Sequence, residues 1–409
     1  MPVLVVGAGF SGATLAREFA EVGLKVTVIE ARNDVGGHCA TKIDPETGVM
    51  IHCHGPHIFH TADLATWAFI RRFGAFMPYR HRVAASLRGQ IFPLPITLAT
   101  INQFFGHNFT PESARRFIAA QCIPISNPQN FEEAALSQIG PALYQAFFKP
   151  YNEKQWGRPA RALPASVFAR LPVRFTMQAD YFNHPIQAIP AEGYSAVVAA
   201  MLAHPNIALH LGQPVTAQDS MGFDHVFWTG PIDAYFKHQH GHLAYRSLRF
   251  EHERLPESAQ ALAVMNYPAH DVPWTRITEH RHFAPEGAVR GSVITPEYPF
   301  EAGPNDTPHY PVRLAREKAQ LGRYIAAALG QHGVSFAGRL GTYRYLDMDV
   351  AIREARSLAR AAVAALRMGQ RPRVFAPEVE TCLSAQPILE TGQVGRKAPQ
   401  CAWIPRKNP

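Results

Sequence analysis

Three groups of residues have the types and spacing for chemistry. The first is Gly7-Ala8-Gly9-Phe10-Ser11-Gly12, preceded by the apolar run Pro2 to Val6 and followed by the amphipathic stretch TLAREFAEVG ending at Gly23. A second apolar run, Lys25 to Ile29, ends at Glu30, eighteen positions after Gly12. In a strand–turn–helix–strand unit of this kind the first glycine allows a sharp turn, the second lets the backbone approach a pyrophosphate, and the third lets the helix pack on the strand. The helix N-terminus then faces phosphate charge, and an acid at the position of Glu30 suits a ribose hydroxyl. The expectation is a dinucleotide-binding βαβ unit with Gly7, Gly9, Phe10, Ser11, Gly12 and Glu30 at the cofactor.

The second group is cationic and phenolic. The runs Arg170-Leu171-Pro172-Val173-Arg174 and Trp274-Thr275-Arg276-Ile277 set arginines beside short apolar stretches, with Tyr181 and Tyr310 in strand-like or loop surroundings. Isolated arginines are usually surface charges. Two brought into one cleft make a bidentate clamp for a diphosphate, and tyrosine hydroxyls can share its oxygens.

The third group is histidine. His52, His54, His57 and His60 recur within IHCHGPHIFH, and alternating histidines on a strand share a face, as metal ligands do. No carboxylate or cysteine arrangement completes a site nearby, so the expectation is no metal. Gly55-Pro56-His57 instead places an imidazole on a turn after a strand, where it can touch a cofactor. His238, His240 and His242 read as a solvated loop or edge strand.

The elements that must position these groups follow from the pattern. Gly36-Gly37-His38 resembles the second fingerprint of flavoproteins with two dinucleotide-binding domains, which favours FAD and adds Gly36, Gly37 and His38 to the cofactor set. Residues 61–75 and 111–148 have helical periodicity, and HRVAASLRGQIFPLPI reads as two strands about Arg88-Gly89. The segment from Phe147 to Gly157, broken by Pro150 and Gly157, reads as an aromatic and basic loop able to move over a site, with Tyr151 and Trp156 as stacking faces. Val334 to Gly338 reads as a strand, and a helix begins near Asp347 with its apolar face at Ala351, Ala355, Leu358, Ala362 and Leu366. That helix N-terminus, with Arg339 before it, can stabilise negative charge on a reduced flavin. The proline-punctuated tail from about Gly369 reads as an irregular extension.

Composition bounds the function class. The chain has 409 residues, 47% hydrophobic and 18% charged, an ordinary globular composition that excludes disordered and fibrous classes. Net charge is +8 and pI about 9.3, but the basic residues are spread along the chain and no nucleic-acid motif appears, so the charge favours acidic small molecules. Five cysteines with no C-x-x-C pair, no signal peptide and no spanning segment place the expected protein in the cytoplasm, off the membrane.

Taken in order, GAGFSG, GGHC, GPHIFH, YNEKQWG, RLPVR, YFN, TRITEH, HYPV and GRLGTYRYLDMD resemble the UDP-galactopyranose mutases of bacterial type, over residues 1 to about 367. The resemblance implies an isomerase that interconverts UDP-galactopyranose and UDP-galactofuranose. It implies FAD that works when reduced, with flavin N5 as nucleophile at the anomeric carbon and no net redox change, an external reductant, a UDP-sugar substrate and a homodimer. By motif, Phe147, Tyr151 and Trp156 hold the uracil; Arg170, Arg276, Tyr181, Tyr310 and Tyr345 grip the diphosphate. Arg339 and His57 sit at the isoalloxazine, and Tyr345, Asp347 and Met348 join the cofactor site. The catalytic set is Arg170, Arg276, Arg339 and His57. No Ser-His-Asp set is required.

The implied fold is α/β: an FAD-binding Rossmann-like domain (1–75, 188–240 and 315–367) with an inserted helical domain (98–150) and an antiparallel β-sheet domain (76–97, 151–187 and 241–314), then a C-terminal extension (368–409). His309 stands before Tyr310 where many relatives carry a Tyr-Tyr pair, and YPFEAGPND replaces a more polar run. These departures leave the sugar open among galactose, its N-acetylated form and arabinose. Two other readings stay open at this point: a flavin oxidoreductase that passes hydride to or from its substrate, and a nucleotide-binding regulatory protein without chemistry.

Overall fold

The computed structural model describes residues 2–168, 173–220, 222–285 and 289–384. The two N-terminal apolar runs form strands, β1 (Pro2–Val6) and β2 (Lys25–Ile29), joined by helix α1 (Phe10–Glu21). β1 is central in a five-stranded parallel sheet, between β2 and strand His225–Trp228, with Ile207–His210 and Val334–Phe336 at the edges. Val3, Leu4 and Val5 are fully buried, as an unalternating β-branched run in a parallel sheet requires. Gly7 turns the chain with φ 103°, and a Cβ on Gly12 would lie 1.9 Å from the Gly7 carbonyl oxygen, so α1 seats on β1 only because that atom is missing.

The helix near Asp347 spans Met348–Arg367 and packs along α1. Its buried face is Ile352, Ala355, Leu358, Ala359 and Ala362, turned slightly from the face read off the sequence. Arg356, beside that face, is ion-paired with Glu18 at 2.6 Å and lies over the Phe69 ring, tying the helix to α1. The tail is not wholly irregular: Pro377–Ser384 is helical.

A second sheet orders its strands Tyr310–Pro311, Tyr245–Phe250, Ser292–Glu301, Arg276–Glu279, Val264–Asn266, Val83–Leu87 and Gln90–Leu94, with Glu253–Leu255 added on Ser292–Glu301. All pairs are antiparallel except Val264–Asn266 with Val83–Ala85. The hairpin turns at Arg88 and Gly89, both at positive φ, as the sequence implied. Helices Leu98–Phe105, Pro111–Gln121 and Phe131–Leu143 enclose a separate apolar core, each opened by a side-chain cap from Thr97, Thr110 or Asn130.

The segment read as a mobile loop is helical. Tyr144–Phe148 is a turn of π-helix and Lys149–Trp156 an α-helix, closed by Gly157 in the left-handed conformation. Phe147 is 5% exposed and packs against Phe92 and Phe104, within the helical core rather than on a loop. Trp156 packs at the edge of the same core.

Candidate active site

The C-terminal ends of the parallel strands converge where the strand order reverses about β1, the place where open α/β sheets bind ligands. Glu30 leaves β2 with its carboxylate accepting the Ala8 N–H at 2.7 Å and the Arg32 N–H at 2.9 Å, which fixes it beside the glycine turn. Gly9 bridges Gly36, and the Gly36 N–H donates to Ala8 at 2.9 Å. A Cβ on Gly37 would lie 3.1 Å from the Gly9 Cα, so two glycine turns meet backbone to backbone. α1 starts at Gly9 with no side-chain cap, leaving its first N–H groups for a ligand. Phe10 points away, into the core against Tyr194, and Ser11 packs beneath Gly338.

These features fit a bound dinucleotide with a planar ring beyond it. The buried His38 Nε2 and His309 Nε2 have no partner among the described residues, and the helix Met348–Arg367 starts at Asp347, again without a side-chain cap. Both histidines, Asp347 and Met348 line one cavity, together with His54, His57, Arg276, Arg339, Tyr151, Tyr181, Tyr310 and Tyr345.

Topology brings the cationic and phenolic groups there. Arg276 opens strand Arg276–Glu279 in register with Glu297 of the neighbouring strand, and the two side chains make an ion pair at 2.7 Å. Glu297 is 1% exposed, and its burial pushes the carboxyl up. Burial also works against the Arg276 charge, but Glu297, Tyr310 and Tyr151 outweigh it and hold the guanidinium protonated. Burial raises the Tyr151 and Tyr181 hydroxyls and takes Tyr310 to about 12, so all three stay neutral donors at ordinary pH. Tyr310 and Tyr345 stack with centroids 6.0 Å apart. Arg339 lies over the Tyr345 ring at 4.7 Å and donates to the carbonyls of Leu346 and His309 at 3.1 and 3.3 Å.

His57 Nδ1 lies 2.8 Å from the Gly55 carbonyl, which can only accept, so Nδ1 carries the proton and Nε2 keeps its lone pair. Burial and Arg339 bring its pKa down to about 3. Of the uracil trio read from sequence, Tyr151 alone lines the cavity; Phe147 and Trp156 stand behind it. Arg170 lies outside the described residues.

Sequence reasoning missed three positions. Glu297 signals itself only as an acid in an apolar strand. Lys154 donates to the carbonyls of Tyr267, Ala269, Val272 and Trp274 at 2.6–3.1 Å, pinning the chain that leads into Arg276; burial brings it down to about 8. His309, noted only as a departure, faces His38 and His54 at centroid distances of 5.1 and 5.5 Å. The run His52 to His60 does not gather as metal ligands: His52 Nδ1 accepts the His57 N–H and His60 meets His184.

Burial of so many imidazoles has a pH consequence. His81, His225, His280 and His309 are 5%, 2%, 1% and 3% exposed, with pKa values driven by burial to about 3, 4, 3 and 3. Above pH 6.5 both folded and unfolded forms are neutral and nothing is lost. Below it the unfolded chain takes protons that the folded chain refuses, so stability falls as pH falls toward the folded values. At pH 5 each such group opposes folding by about 2 kcal/mol, and four together rival the roughly 5–15 kcal/mol that holds a domain. Thermal melts should therefore collapse between pH 6.5 and 5; a midpoint constant over that range would contradict the neutral assignment.

Comparison with known proteins bears on the same regions. A family model described as UDP-galactopyranose mutase matches residues 146–345, and one described as an NAD(P)-binding Rossmann-like domain matches residues 5–73. A probable UDP-galactopyranose mutase of Klebsiella pneumoniae is 46% identical over 354 residues, covering 86% of this chain and 92% of its own. A dTDP-fucopyranose mutase of Escherichia coli is 43% identical over 361 residues, covering 86% and 96%. The crystal structure of a reduced UDP-galactopyranose mutase superposes with a TM-score of 0.69 at 15% identity, over 91% of this chain and 98% of that one, a likeness of fold.

Proposed function

This chain belongs to the UDP-galactopyranose mutase family of isomerases, and on that footing we propose that it interconverts UDP-galactopyranose and UDP-galactofuranose with reduced FAD and no net redox change. The observation that carries the reading is one cavity lined both by the uncapped start of the helix Met348–Arg367, with His38 and Arg339 beside it, and by a protonated Arg276 among phenols. Bound and reduced, FAD would supply a nucleophilic N5 for the anomeric carbon.

Everything else falls to the chain. Gly7, Gly9, Gly12, Gly36 and Gly37 cradle the dinucleotide, and Glu30 takes the ribose. Arg276 and the hydroxyls of Tyr181, Tyr310 and Tyr345 hold the diphosphate and stabilise the negative charge that grows on it as the anomeric bond breaks. Tyr151 stacks on the uracil, braced by Phe147 and Trp156, and Arg170 completes the clamp. Arg339 sets a full positive charge at the mouth of the helix Met348–Arg367, which favours an anionic reduced ring. His57, neutral, offers Nε2 as an acceptor. Three free thiols, Cys39, Cys53 and Cys122, support a cytoplasmic location, and no helix among the described residues is long and apolar enough to cross a membrane. An external reductant and a homodimer belong to the same reading.

The deciding experiment mixes dithionite-reduced protein with UDP-galactofuranose and follows UDP-galactopyranose by chromatography. The reduced sample should turn over and the oxidised one should be nearly inert; equal activity in both rejects the mechanism. The Escherichia coli relative makes dTDP-fucopyranose the competing substrate, and running it beside the UDP-sugar shows which base and hexose the cavity prefers.

A further inference from the structure

The run His238-Gln239-His240-Gly241-His242, read from sequence as solvated, is tightly built. Between helix Ile232–Tyr235 and strand Tyr245–Phe250, Lys237 (φ 51°), His238 (φ 55°) and Gly241 (φ 86°) all take the left-handed conformation. Two of these are not glycine, so the turn is costly and its surroundings must impose it. They do. The His238 N–H donates to the Asp233 carbonyl at 2.8 Å and the Gly241 N–H to the His238 carbonyl at 2.7 Å. From helix Ala315–Leu329, Gln320 donates to the carbonyls of His240 and His242 at 2.9 and 3.1 Å, while the Tyr324 hydroxyl donates to Gly241 at 2.7 Å and accepts the His240 N–H at 3.0 Å.

With its backbone tied, the loop presents two imidazoles beside one buried carboxylate. The rings of His238 and His242 stack with centroids 3.8 Å apart. Asp233 is 3% exposed; its Oδ2 accepts the Leu243 N–H at 2.9 Å and faces His238 Nδ1 at 3.2 Å, and its Oδ1 has no partner among the described residues. One ligand atom from each of the three residues lies within 4.8 Å of the other two.

We propose that Asp233, His238 and His242 bind a divalent transition-metal ion of the zinc type. Two imidazole nitrogens and one carboxylate oxygen suit zinc and its neighbours, whereas magnesium and calcium take all-oxygen sets. A tetrahedral ion with bonds of about 2.0–2.1 Å holds its ligand atoms about 3.4 Å apart, so the three must draw in by little more than about 1 Å. Rotation of the half-exposed His238 and exposed His242 side chains supplies that movement, and solvent supplies the fourth ligand. The orphaned Oδ1 gains the partner that a buried carboxylate oxygen needs. None of the three residues lines the mutase cavity, so the ion clips a surface turn to the cofactor-binding half and the proposal stands or falls apart from the proposed activity.

Untagged protein stripped with a chelator is titrated with zinc chloride by calorimetry and with cobalt(II) by visible absorption. One tight equivalent is expected, with the intense band of tetrahedral cobalt and a higher melting temperature on zinc addition. His242→Gln, at an exposed position, should weaken zinc at least about 100-fold, while His240→Gln, whose ring packs on Tyr324, should leave it unchanged. Wild-type protein with no saturable zinc uptake overturns the site, as does undiminished affinity in the His238→Gln/His242→Gln pair or in His242→Gln alone.

Discussion

Replacing Arg276 by alanine should cut turnover by about 1,000-fold or more while the cofactor stays bound, because in the proposed function this guanidinium, set among phenols of the cavity, takes the charge of the diphosphate. The structure adds a second consequence. Glu297, buried to 1% exposure, has Arg276 as its ion-pair partner at 2.7 Å, so the single change strands a carboxylate and costs about 3–5 kcal/mol of stability unless Glu297 takes up a proton. Even Gly55 is involved: a Cβ there would lie 3.2 Å from the Arg276 guanidinium and 3.4 Å from Glu297, so the turn that presents His57 is packed on this pair. The two effects separate in the Arg276→Gln/Glu297→Gln double variant. It should melt near the wild-type temperature and keep its yellow colour, yet remain as slow as Arg276→Ala. A double variant with normal turnover would remove Arg276 from the chemistry and leave it a structural ion pair.

Gly12→Ala should yield colourless protein. The new methyl would sit 1.9 Å from the Gly7 carbonyl oxygen and 3.3 Å from Val5 Cγ1. Neither can retreat: Gly7 is the turn residue at φ 103°, with its own Cβ direction blocked by Thr229 Oγ1 at 2.2 Å, and Val5 is fully buried in the central strand. The N-terminus of α1 must lift instead, which would carry its uncapped N–H groups away from the position proposed for the phosphates. Cofactor content on purification, read from visible absorbance, should drop by more than about tenfold, a change that needs only about 1.4 kcal/mol of lost binding. Gly23→Ala is the matched control. At φ 89° it carries conformational strain of about 1–2 kcal/mol but meets nothing within 4 Å, so it should soften the fold without bleaching the protein. A fully yellow Gly12→Ala protein would show that the glycine turn is not where the dinucleotide lies.

The amino-acid sequence determined what short-range physics can decide. The glycine turn, the flanking strands, Glu30 at the end of β2, the Arg88-Gly89 hairpin and the helix starting at Asp347 depend on backbone freedom and side-chain periodicity within a few residues of each other. The same local view misjudged residues 147–157. Pro150 and Gly157 look like loop punctuation, but the proline stands in the first turn, where no backbone donor is needed, and the glycine is the left-handed cap; they mark the ends of a helix rather than the absence of one. What tertiary structure alone decided is how charges and orphaned polar atoms are matched. Strand register set Arg276 against Glu297, Lys154 reached four carbonyls more than a hundred positions away, and the turn at His238 closed over Asp233. Electrostatic energy depends on distance and on exclusion of water, and neither is a property of sequence spacing; both come into being when distant strands pair and the interior dries.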